Sequence, residues 1–131
     1  MNEPVLVALI FADRIITENN GKKGIIGTFN RFFSKNFPVT FPPWSIYAAI
    51  TNLSGQHTFN FILTNTESGK EIFPIKGTFD VKESIDVVEL TFNIVGAAFD
   101  SEGKYVLSCY IDDELLGSRI LMVSSAMPGS S

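Results

Sequence analysis

Few side chains in this chain of 131 residues have the chemistry to act on a substrate, and they stand apart from one another. There is one histidine, His57, and one cysteine, Cys109. General-base work needs a positioned partner, and a serine nucleophile needs a base beside it, usually on a strained "GxSxG" elbow. The sequence contains no such elbow and ties His57 to no particular serine. His57 lies in phase with Phe59, Phe61 and Leu63, so it reads as a half-buried histidine at a strand end. Cys109, in phase with Leu107 and Ile111, reads as a buried structural thiol. One Cys and one His cannot build a tetrahedral zinc site. Glu67, Asp100 and Glu102 form one small acidic group and Asp112, Asp113 and Glu114 another, but each sits in a turn, where acidic residues are expected without calcium. "GKKG" at 21–24 lacks the length of a phosphate loop and a following helix, and reads as a hairpin turn. No catalytic residue, metal or cofactor is assigned, and the chain is expected not to be an enzyme.

The stretch "FNRFFSKNFPVTFPPW", residues 29–44, holds five phenylalanines and the only tryptophan. Stacked rings with basic residues between them would suit nucleic acid, but only Arg31 and Lys35 are present and the chain carries a net charge of −4. Three readings remain, the third being that the rings face another protomer. In the first, Phe29 continues the strand "GIIGTF", Phe32 and Phe33 close it, and Phe37, Phe41 and Trp44 plug the end of a sandwich under a crossover stiffened by Pro38, Pro42 and Pro43. In the second, Phe37, Phe41 and Trp44 form a platform for a sugar or small ligand, with Glu67 and Asp100 as nearby hydrogen-bonding groups.

Positioning such groups requires a fold, and the apolar pattern has period two. Trp44, Ile46, Ala48 and Ile50 point one way; so do Phe59, Phe61 and Leu63, then Val88, Leu90, Phe92 and Ile94, then Tyr105, Leu107, Cys109 and Ile111. Their opposite faces carry Ser45, Thr51, Glu89, Thr91, Asn93, Ser108 and Asp112. "VLVALIFADRII" is apolar on both faces, which suits a central strand covered on both sides or one that meets a partner chain. Pro74 removes a ladder donor and marks an edge strand. About eight strands separated by hairpin-sized turns, with no convincing helix, predict an all-β fold: a two-sheet antiparallel β-sandwich of immunoglobulin-like appearance. Residues 1–131 are expected to form one domain, with about 124–131 as a flexible tail. If successive strands alternate, "SKNFPVTFPP", "NTESG" and "FDSEG" collect at one end, and "ENNGKK", "LSGQ", "DVKES" and "DDE" at the other.

At 45% hydrophobic and 18% charged residues the chain has enough apolar surface for a core. A pI near 4.9 argues against nucleic acid, the single cysteine fits the cytoplasm, and the apolar run 5–12 is too short to cross a membrane.

"VALIFADRII" followed by "GKKGIIGTFNRFFSKNFP", and near the end "GKYVLSCYIDDELLGSRILMV", resemble an uncharacterised bacterial family of unknown function. The resemblance implies an immunoglobulin-like β-sandwich and brings no activity, cofactor or catalytic residue with it. The function expected is a non-enzymatic structural or protein-interaction module that self-associates, with the sugar- or ligand-binding sandwich as the alternative.

Overall fold

The computed structural model describes residues 3–125. Eleven strands follow in order: β1 (Val5–Thr17), β2 (Lys23–Phe29), β3 (Arg31–Phe33), β4 (Val39–Thr40), β5 (Trp44–Thr51), β6 (Gly55–Asn65), β7 (Glu71–Val81), β8 (Val88–Ile94), β9 (Ala98–Phe99), β10 (Gly103–Ile111) and β11 (Glu114–Ser124). Three of these, β3, β4 and β9, have only two or three residues, too few to show a period, which is why the sequence suggests about eight.

The first sheet has the order β2-β1-β5-β8 and the second β3-β11-β10-β6-β7; β4 and β9 form a short separate ribbon. All pairings are antiparallel except that of β3 with β11. The chain changes sheet between β2 and β3, returns by β5, and changes again between β5 and β6, between β7 and β8, and before β10. This Greek-key path, with two sheets packed face to face, is the immunoglobulin-like sandwich. Pro74 lies on β7, at the edge of the second sheet, where its missing donor costs no ladder bond.

Alternation along each strand supplies the core. Phe11 from β1, Ile46 and Ile50 from β5, Phe61 and Leu63 from β6, Leu107 and Cys109 from β10 and Leu121 from β11 are all fully buried between the sheets. Gly77 pairs across the ladder with Phe59, whose ring covers the space a side chain would fill: a Cβ there would lie 2.5 Å from Phe59 Cζ. The ring is fixed in turn by Phe61, Phe79 and Phe92, so alanine at 77 would displace a packed aromatic cluster.

The expected single strand through Phe33 is two. Asn30 reverses the chain, so that β2 pairs with β1 in one sheet while β3 crosses to β11 in the other. That extra reversal moves the turn 18–22 to the end that holds the crossover 34–43, and not to the opposite end, because β1 runs toward the crossover end and past it. The other loops sort as expected. Ser124, expected in the tail, belongs to β11; residues 126–131 lie outside the described part.

At the crossover end, Tyr105 lies near the start of β10 and is fully buried against Phe99, with ring centroids 4.9 Å apart in a T-shaped pair. Its hydroxyl donates to the Ser101 carbonyl at 2.6 Å, four residues upstream. This is a tyrosine corner: a large ring fills the core while its one polar atom ties down the chain entering the strand. Tyr105→Phe keeps the ring and loses the bond, so it is expected to cost about 1 kcal/mol and a few degrees in Tm. Chemical denaturation checks it, and an unchanged midpoint would show that the hydroxyl anchors nothing.

Candidate functional site

The aromatic crossover is built by packing that starts at Phe11. Phe29 stacks beside Phe11 at 6.1 Å, Phe32 lies 4.6 Å from Phe29, and Phe41 stacks on Phe32 at 4.1 Å with only 12° between the planes. Trp44 meets Phe11, Phe29 and Phe32 edge-on. Each such pair adds about 0.5–1.5 kcal/mol beyond simple area burial, so the rings mutually hold the end of the sandwich closed.

The residues named as a ligand platform fall as follows. Trp44 is 2% exposed and offers no free face. Phe37 and Phe41 are half-buried and packed against the core, and the face that Phe41 presents is already stacked on Phe32. Asp100 is exposed but ion-paired with Lys70. Glu67 is exposed in the β6–β7 turn, where its backbone N–H donates to Asn65 Oδ1 at 2.9 Å. The structure brings Phe41 and Trp44 into one aromatic cluster and leaves Glu67 and Asp100 on neighbouring surface turns.

At the other end of the sandwich His57 has a partner that the sequence did not reveal. Its Nδ1 lies 2.6 Å from Asp112 Oδ2, and its Nε2 lies 2.8 Å from the Ser54 carbonyl. Asp112 and Asp113 both adopt left-handed φ, 51° and 67°, as the two-residue turn joining β10 to β11 requires. That turn aims the Asp112 carboxylate back at β6, where its Oδ1 accepts from the Thr58 N–H at 2.9 Å. Acceptors face both ring nitrogens, and only the imidazolium carries a proton on each. The hydrogen bond to Asp112 accordingly raises the His57 pKa above 6.5, the ordinary value. Burial raises the Asp112 pKa, but the bonds from His57 and from Thr58 outweigh it and hold that carboxyl below its ordinary value. A histidine with neither nitrogen free abstracts no proton from a substrate; here it ties the β5–β6 turn to the β10–β11 hairpin.

Cys109 is fully buried, and burial pushes its thiol up to about 12, away from the thiolate a nucleophile needs. Among the described residues no three His, Cys, Asp or Glu side chains gather as a metal site. An open groove of about 520 Å³ runs along the side of the sandwich between β7 and β8, walled by Ile72, Phe73, Ile75, Phe92, Ile94 and Val95. Sequence periodicity assigned two of these, Phe92 and Ile94, to the core. The groove is missed because nothing in the pattern says that β8 has no neighbour beyond it.

Residues 7–124 match a family described as "Family of unknown function (DUF6941)", and the chain belongs to it. No curated protein matches. Among solved structures the chain is similar to the CARDB domain of the PF1109 protein in complex with di-metal ions from Pyrococcus furiosus. That match has 12% identity and a TM-score of 0.49, over 95% of this chain and 96% of that one. It is also similar to an immunoglobulin-like protein (PA1606) from Pseudomonas aeruginosa, at 10% identity and a TM-score of 0.45, over 92% and 96% of the two chains.

The His57–Asp112 pair sets a pH dependence. His57, with its raised folded pKa, contributes stability that is fully present below the unfolded value near 6.5 and is lost as pH rises through the folded value. Asp112, with its lowered folded pKa, contributes stability present above 3.8 and lost as pH falls through the folded value. Because half of the Asp112 side chain is exposed, the pair is worth no more than about 1 kcal/mol. His57→Gln is therefore expected to lower stability at about pH 5 and to differ less from the parent at about pH 9. Denaturation midpoints at both pH values test this; an equal deficit at both would remove the ionic account.

Proposed function

We propose that this member of the DUF6941 family is a non-enzymatic protein-interaction module that self-associates, and that its working surface is the four-stranded sheet β2-β1-β5-β8. The observation that carries the reading is where the exposed large apolar residues lie. Among the described residues there are nine, of which Val5, Val7, Ile16 and Ile26 belong to β1 or β2 and Ile85, Val87 and Val95 flank β8; only Leu115 and Ile120 belong to the other sheet. Isolated surface hydrophobics need no explanation, but this bias toward one sheet does.

The charge pattern agrees. On the outward side of β1 and β5, Ala8, Ile10, Tyr47 and Thr51 are half-buried and uncharged, Ala12, Ser45 and Ala49 are buried, and Arg14 is the charge that follows them on β1. Glu89 on β8 accepts a hydrogen bond from the Tyr47 hydroxyl, whose pKa is pushed up to about 12 by burial and by Glu89. A second copy that approaches along this sheet thus meets little charge to desolvate, which suits an acidic chain that must approach its own copy.

Sedimentation velocity over the micromolar range is expected to show a concentration-dependent shift from monomer to a larger species. Replacing Val87 and Val95 together with aspartate is expected to return the protein to monomer with its thermal unfolding little changed, since both side chains are exposed. A parent protein that stays monomeric at every concentration would overturn the proposal.

A further inference from the structure

The self-associating module has four outer strand edges, and three of them are guarded against pairing. On β7, Pro74 lacks a donor and Lys76 puts charge on the strand. The part of β1 that extends past the end of β2 carries a bulge between Leu6 and Ala8, and Arg119 from the opposite sheet donates to the Leu9 carbonyl at 2.7 Å. A bulge and an inward-turned charge are standard ways to blunt a sheet edge. On β2, Lys23, Gly24 and Gly27 weaken the strand, and Gly27 has a left-handed φ of 73°. β3 has only three residues and pairs with only the end of β11, whose remaining length carries Glu114, Gly117 and the inward-turned Arg119.

β8 is the exception. Its seven residues, Val88–Ile94, include no Pro, Gly, Lys or Arg, and it is regularly paired to β5 throughout, without a bulge. Among the described residues no other segment hydrogen-bonds to the backbone of its outer side.

Resting on the self-association reading, we infer that two copies of this chain join by antiparallel pairing of β8 with β8 about a two-fold axis at Thr91, making one continuous eight-stranded sheet. The register follows from parity and charge. In an antiparallel pair, directly opposed residues share a face, so a two-fold axis must pass through a residue. Centring on Thr91 uses the whole strand: Val88 meets Ile94, Glu89 meets Asn93, Leu90 meets Phe92, and Thr91 meets its own copy. The strand's only charge then faces an amide that can donate to it, whereas parallel pairing in register would set Glu89 against Glu89. Extended by one residue at each end, the same register puts Val87 opposite Val95, which are 54% and 69% exposed in the single chain. The apolar groove between β7 and β8 lies beside this edge, so the added strand would also approach Ile72, Phe73 and Ile75.

Thr91 is exposed and outward-facing, so cysteine there is expected to fold normally. Thr91→Cys is expected to form a reducible covalent dimer on mild oxidation. Glu89→Cys and Asn93→Cys, each alone, should cross-link at least about tenfold more slowly, because each would have to reach its own copy four residues away, roughly 13 Å along the strand. Mixed with each other, those two variants should cross-link readily. The native thiol Cys109 is buried and stays out of the reaction. Asn93→Glu should weaken the dimer several-fold by opposing Glu89, and Asn93→Lys should strengthen it. If Thr91→Cys cross-links no faster than Glu89→Cys while the parent still sediments as a dimer, the β8 register is overturned and self-association survives through another surface. A parent that is always monomeric overturns both.

Discussion

An open β-sheet ends in strands whose outer N–H and C=O groups have no neighbour, and most of the irregular features of this chain are responses to that constraint. Two sheets of four and five strands face each other, so there are four such ends. The bulge in β1, Arg119 turned inward to the Leu9 carbonyl, the proline on β7 and the glycines of β2 each interrupt a backbone that would otherwise accept another strand. None of these features adds much to the core. Gly117 makes the same point in reverse: a Cβ there would lie 2.6 Å from Leu6 Cδ2, so the smallest residue is needed where β11 approaches β1. Close approach of the sheets on that side is what brings Arg119 within reach of its carbonyl.

The interior was legible because it depends on a local rule. Residues two apart on a strand share a face, and every inward position read from that period on β5 and β10 is buried. The path of the chain was less legible. Between Phe29 and Phe33 the aromatic residues run on without a turn signal stronger than Asn30, and nothing local indicates that Phe29 and Phe32 pack on each other from opposite sheets. A contact that joins sheets is a property of the assembled fold. The same holds for His57 and Asp112, which are 55 positions apart and meet only because β6 and β10 are neighbours.

For the candidate site the lesson is about side-chain economy. A dense run of aromatic residues beside prolines has the composition of a stacking surface, yet Trp44 is spent inside the sandwich and Phe41 on Phe32. Likewise a histidine beside a carboxylate looks like half of a catalytic device until the second nitrogen is followed to the Ser54 carbonyl. In both places the useful question is which face or lone pair is still free. Asked of the backbone instead of the side chains, it leads to β8.

The bond from Arg119 to Leu9 joins positions 110 residues apart, nearly the whole length of the chain. β1 and β5 can pair early in synthesis, but the sheet that faces them lacks its central strands until β10 and β11 emerge. For a chain made from its N-terminus onward, the apolar residues Leu9, Phe11, Ile46 and Ile50 are only partly covered until then. With so many of its pairings between distant segments, the domain belongs among slow folders.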